Sequence, residues 1–198
     1  MREVIEQCAK ALELDPLNVS VRSSCAFLLS LGKAYDRGLA EAQKAMKMDA
    51  SHWLPHFAIG LSYALRGEFA AARPAAERSV RAAPWWAQAL GLLAGVLAQL
   101  GERERADELV TQLTDMRPAG LPIYHFVCSG NDAAAHWLAQ MIEDRDPIAP
   151  AWSCLKPIRA SPLWPALAKM ISCHLRRSER GCKCRMLQKR QTALTRKL

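Results

Sequence analysis

The sequence predicts an all-α protein built from stacked helix–turn–helix hairpins, and three observations predict it. Pro84 and Pro118 lie 34 residues apart, and Pro16 stands twice that interval before Pro84. Gly67 and Gly101 repeat at the same interval, as do Ala72 and Ala106. Between these marks the apolar residues fall at helical spacing: Ile59, Tyr63 and Leu65, then Phe69, Ala72, Ala76 and Val80. A glycine between two such runs stops the first helix, and a proline after the second bars its continuation. Composition agrees, since aromatic residues are only 7% and runs of β-branched residues are almost absent.

Taken in order, residues 1–16 read as a single helix ending Ala11-Leu12-Glu13-Leu14-Asp15-Pro16. Residues 17–118 read as three helix pairs, Val19 to Ala50, Trp53 to Pro84 and Ala87 to Pro118. In the first pair Ala50 takes the place of the proline, and the turn Leu31-Gly32-Lys33 carries its glycine one residue out of phase. In the second, Pro74 stands about six residues into a helix that starts near Glu68. An interior proline removes a hydrogen bond at a cost of about 3 kcal/mol, which predicts a late helix start or a kink. Residues 119–171 read as a degenerate hairpin with a cap. Its helices span Ile123 to Cys128 and Ala133 to Asp144, Gly130-Asn131-Asp132 supplies the turn and helix cap, and a short helix follows from Pro165 to His174. Residues 172–198 read as a basic tail, expected to be disordered.

These marks resemble the tetratricopeptide repeat family. The fullest copy runs from Trp53 to Pro84. It has the family's small packing residue at Gly60, aromatics at Tyr63 and Phe69, the turn glycine at Gly67, the close-contact residue at Ala72 and the closing proline. The next copy matches through Leu93, Ala94, Leu97, Gly101, Ala106 and Pro118, and the first through Ala26 and Ala45. The resemblance implies a right-handed α-solenoid with a C-terminal capping helix. Residues 1–16 then correspond to the second helix of a copy. That predicts either that the natural protein continues upstream or that the chain is a truncated product. The run Asp144-Arg145-Asp146-Pro147, the following prolines and Ser161-Pro162-Leu163-Trp164 are similar to the C-terminal segments of tetratricopeptide regions in bacterial multidomain regulators.

Charge narrows the function classes. The chain carries a net +8, but Met1 to Met170 is neutral, and the last 28 residues hold nine Lys and Arg against Glu179. Nucleic acid or an anionic surface would therefore be gripped through the tail alone, without interleaved aromatics for stacking. The most apolar stretch, Ala87 to Leu100, contains two Gln and two Gly, so no membrane span is expected. The start, Met1-Arg2-Glu3-Val4-Ile5-Glu6, has no apolar signal core, and seven cysteines form no disulfide framework. Both point to reduced thiols in the cytoplasm.

The expected working surface is a concave groove lined by the first helix of each pair. Phasing the copies assigns to it Phe27 and Leu31, then Leu54, Phe57, Leu61 and Leu65, then Gln88 and Gln99, with Gly91 and Gly95 between them. An apolar groove of this kind suits an amphipathic helix or apolar peptide from a protein partner. The competing expectation is that the chain itself covers part of this face. Relatives that bind C-terminal carboxylates use Lys, Arg and Asn at such positions, and none stands there. Replacing Phe57 and Leu61 by Glu is then expected to abolish partner capture and leave helicity intact. His52 and His56, four apart, are read as packing residues rather than metal ligands, as are Cys8, Cys25 and Cys128. Cys173, His174, Cys182 and Cys184 cluster in the tail with a spacing that fits no zinc motif. No catalytic residue, small-molecule substrate, metal or cofactor is expected, and a detached regulatory module is the alternative to a binding scaffold.

Overall fold

The computed structural model describes residues 2–116, 118–144, 149, 159 and 161–180. The predicted prolyl segment, Arg145-Asp146-Pro147 through Pro157, falls almost wholly outside them, as does the tail beyond Arg180. The described residues form α-helices and one 3-10 turn, with no strand among them. Helix α1 (Arg2–Leu14) precedes three hairpins: α2 (Val19–Leu31) with α3 (Tyr35–Met48), α4 (Trp53–Leu65) with α5 (Phe69–Ala82), and α6 (Ala87–Gln99) with α7 (Arg103–Met116). The 3-10 turn Pro118–Gly120 leads into a short α8 (Leu121–Val127), then α9 (Asn131–Glu143) and α10 (Trp164–Arg180). Packing is sequential. Each hairpin closes on itself, α2 and α3 meet α4, α4 and α5 meet α6, α6 meets α8, and α10 covers α9. This neighbour-to-neighbour order is that of an α-solenoid.

The hairpin turn is the repeating unit at atomic detail. Four turns close with the same pair of backbone bonds. The wider one runs from Ala34 N to Leu29 O (2.9 Å), Glu68 N to Tyr63 O (2.9 Å), Glu102 N to Leu97 O (3.0 Å) and Gly130 N to His125 O (2.7 Å). This is the Schellman closure, which needs one residue in the left-handed region. Those residues are Lys33 (φ 61°), Gly67 (φ 79°), Gly101 (φ 86°) and Ser129 (φ 63°). Gly67 and Gly101 meet the demand without a Cβ. In the outer two turns the glycine sits one residue off, at Gly32 and Gly130, and an L-residue takes the left-handed position instead. Lys33→Gly is therefore expected to stabilise the chain by about 1 kcal/mol, read as a higher urea midpoint at unchanged slope.

Pro74 does not delay its helix, since α5 runs unbroken from Phe69 through it. Pro74 and Ala70, whose carbonyl loses its partner, both lie on the exposed side, where water can satisfy that oxygen. The terminal hairpin begins two residues earlier than expected in each helix. Asn131 and Asp132 do not cap α9, whose N-cap is Gly130 with no side-chain bond. The Asp132 carboxylate instead accepts Ser161 Oγ at 2.8 Å, tying the entry to α10 back to α9. The capping helix buries Leu167 and Ile171.

Small residues set the helix spacing. Ala26, Ala42, Ala45, Ala58, Ala72 and Ala76 are fully buried. A Cβ on Gly60 would stand 3.1 Å from Ala76 N and 3.3 Å from Leu92 Cδ2. A hydroxyl pair crosses the first interface: Ser30 Oγ and Ser62 Oγ are 2.7 Å apart, and each lies 2.8 Å from a carbonyl one turn back, at Ala26 and Ala58, so one serine donates to its partner while the other donates to its carbonyl. Both serines are fully buried, so the pair satisfies groups that would otherwise be costly there.

Candidate functional site

The groove residues expected from the sequence are placed as follows. Phe27, Leu31, Phe57, Leu61 and Gln88 are buried within the chain, with Phe57 and Leu61 at 0% exposure. Leu54 and Leu65 are half-buried and packed against the same core. Gln99 lies at the end of α6, where its side-chain amide donates to Val127 O at 3.0 Å. The face that these residues share is therefore an interior one, not a free groove over its α4 and α6 portions. The chain covers the α6 part itself. Cβ atoms added at Gly91 and Gly95 would lie 2.0 Å from Gly120 O and 2.8 Å from Val127 Cβ, so the 3-10 turn and α8 are seated directly on that backbone.

The open apolar concavity lies instead between α1 and α2. It encloses about 700 Å³ and is lined from α1 by Gln7, Cys8 and Ala11 and from α2 by Ser20, Ser24 and Leu28, with Val21 and Cys25 on its floor. The repeat register explains what it is. Residues 34 and 68 further on from Ser24 are Ala58 and Leu92, and from Leu28 they are Ser62 and Val96. All four of those are fully buried, because α2 lies over α4 and α4 over α6. Ser24 and Leu28 are exposed. On α1, Cys8 and half-buried Ala11 correspond to Ala42 and Ala45, then Ala76 and Ser79, all four of which are fully buried, whereas Cys8 keeps 5% exposure. The α1–α2 groove thus repeats the surface on which α2 sits over α3 and α4, one step earlier in the stack. Exposed Leu14 and Leu17 extend the apolar surface along the connection between the two helices.

The groove is electrostatically quiet. Burial pushes the Cys8 thiol up to about 12, helped by the neighbouring Cys25, and burial also raises Cys25. Beside it, Arg22 reaches Glu41 in an ion pair and donates from Nη2 to Pro16 O at 2.7 Å, fixing the chain between α1 and α2. Elsewhere burial raises Cys128 and Tyr124 and lowers His125.

A second feature that sequence reasoning passed over is an aromatic ledge at the starts of α4 and α6. Trp53 and Trp86 have ring centroids 4.1 Å apart, Trp86 meets Phe57 edge-on at 4.5 Å, and Trp85 projects with 63% exposure. Its buried part pins successive hairpins together. His52, expected to pack, begins α4, where its Nδ1 accepts from Leu54 N at 3.4 Å. His56 is buried with Nε2 3.1 Å from Ala50 O. Among the described residues no group of three or more His, Cys, Asp or Glu is arranged to hold a metal, and no helix is long and apolar enough to cross a membrane. The Cys173, His174, Cys182 and Cys184 side chains lie outside the described residues. No protein-family model matches the chain, and no curated protein matches it at a significant level.

Proposed function

We propose that the chain is a helical-repeat scaffold of the tetratricopeptide type that holds a helix of a partner protein in the α1–α2 groove. One observation carries this reading. Register positions that are fully buried under a preceding helix in α4 and α6 are exposed in α2, so the groove has the shape and polarity of a helix seat. Its occupant is an amphipathic helix with an apolar stripe facing Leu28 and Ala11 and small residues where it crosses Ser24. The lining carries no ionised side chain, so shape and apolar contact would set the affinity.

The conservative test uses the exposed rim. Leu28→Glu places a charge in the seat while sparing the core, so helicity and melting temperature should stay close to wild type. Capture of the partner should weaken by about tenfold or more, the scale of a desolvated apolar contact. Unchanged capture by a folded Leu28→Glu chain would remove the groove from consideration. The basic tail is the separate case, and a salt-sensitive interaction lost on deleting residues 181–198 would belong to it rather than to the groove.

A further inference from the structure

Most buried side chains join one continuous core that runs from Ala26 to Ile171. Helix α1 stands outside it. It is held by a separate small cluster of Cys8, Cys25 and Leu29, with Ile5, Leu12 and Ala34 packed around them. Two of the three buried residues in that cluster are thiols, one on each helix. They meet reciprocally: Cys25 Sγ donates towards Cys8 O at 3.7 Å, and Cys8 Sγ donates towards Cys25 O at 4.0 Å. A disulfide needs close backbones with converging side chains, and two thiols that each reach the other residue's carbonyl oxygen set the residues side by side across the helix pair. Both also line the α1–α2 groove, which gives a small oxidant a route to them.

We propose that Cys8 and Cys25 are a disulfide-forming pair that, in the presence of a peroxide, locks α1 onto the body of the repeat. In the proposed order the Cys25 thiolate attacks the peroxide first. The attack forms an S–O bond and breaks the peroxide O–O bond, giving a sulfenic acid at Cys25 and one water. Cys8 sulfur then attacks the Cys25 sulfur, and the S–OH oxygen leaves with the Cys8 proton as a second water. Two thiols are oxidised by two electrons to one disulfide, and one peroxide is reduced to two waters. Both thiols are held protonated by burial, so the reaction is slow at neutral pH and accelerates by roughly tenfold per pH unit through the alkaline range. The bond closes a short loop between neighbouring helices and suppresses independent opening of α1. This proposal does not depend on which partner the groove takes, and a helix seated there would shield both thiols from the oxidant.

The test treats the full chain with hydrogen peroxide and maps it by mass spectrometry without reduction. Trypsin places Cys8 in residues 3–10 and Cys25 in residues 23–33. The expected product is a monomer in which these two peptides are joined and two hydrogens are lost. Amide exchange in α1 should then slow by about 100-fold, with α6 and α7 unchanged. Peptides 3–10 and 23–33 that stay alkylatable, or that join Cys128, Cys154 or the tail cysteines instead, would overturn the assignment. A chain with Cys128, Cys154, Cys173, Cys182 and Cys184 replaced by Ser gives the same reading without competing thiols. If that variant does not fold, the wild-type peptide map decides.

Discussion

Gly91→Ala is expected to lower the melting temperature by roughly 6–12 °C, which corresponds to a loss of about 3 kcal/mol for a chain of this size. The reason is contact between backbones. A Cβ at Gly91 would stand 2.0 Å from Gly120 O and 2.7 Å from Gly120 C, and neither atom is the end of a flexible side chain that could swing aside. Relief would require lifting the 3-10 turn and with it α8, whose Leu121 and Ile123 are almost fully buried. A Cβ at Gly120 would meet Ala87 O at 2.2 Å and Leu113 Cδ2 at 2.6 Å, on the same interface. The two substitutions should therefore be strongly non-additive: once one has pried the turn away, the second meets little resistance. Thermal unfolding followed by circular dichroism on both single variants and the double variant checks this. Additive losses would mean that the two contacts yield independently.

Leu61→Glu, or Phe57→Glu, is expected to unfold the central hairpins rather than to abolish binding in a folded chain. Both side chains are at 0% exposure, and Phe57 lies between Phe27, at 5.8 Å between ring centroids, and Trp86, at 4.5 Å. Removing such a side chain costs about 2–5 kcal/mol, and placing an unpaired carboxylate there adds a comparable penalty. Together these reach the whole stability of an ordinary domain. Far-UV circular dichroism should show a large loss of helix signal, whereas Leu28→Glu retains it. A folded Leu61→Glu chain would mean that the α4 face is open after all.

The contrast between these two leucines shows what was legible in the sequence. Spacing at 34 residues located the hairpins and their order, because a Gly at 67 and 101 and a Pro at 84 and 118 act locally and leave a direct mark. Helix limits followed to within a few residues, and the late start expected from Pro74 did not occur because its solvent exposure cannot be read from a run of alanines. The left-handed turn residues Lys33 and Ser129 were hidden behind neighbouring glycines, since the chain can close the same turn with the glycine one place off. The burial of the face that phasing picked out was hidden for a different reason. Phasing identifies which residues share a face, but not whether another helix covers it. Leu28, Ser62 and Val96 are equivalent in register, and only their position along the stack separates an exposed leucine from two fully buried neighbours. The aromatic ledge left no periodic mark: Trp53, Trp85 and Trp86 converge from two hairpins at positions that are out of phase.

If the α1–α2 groove seats a partner helix, photocrosslinking from within it will capture that helix. A benzoylphenylalanine at position 24 in place of Ser24 points the label from the exposed side of α2, and one at Gln43 on the exposed side of α3 serves as the control. The expected result is an adduct from position 24 that maps to an apolar helix of one partner, is absent from position 43 and is lost on Leu28→Glu. Equal yields from both positions, or an adduct from position 24 that survives Leu28→Glu in a folded chain, would contradict it.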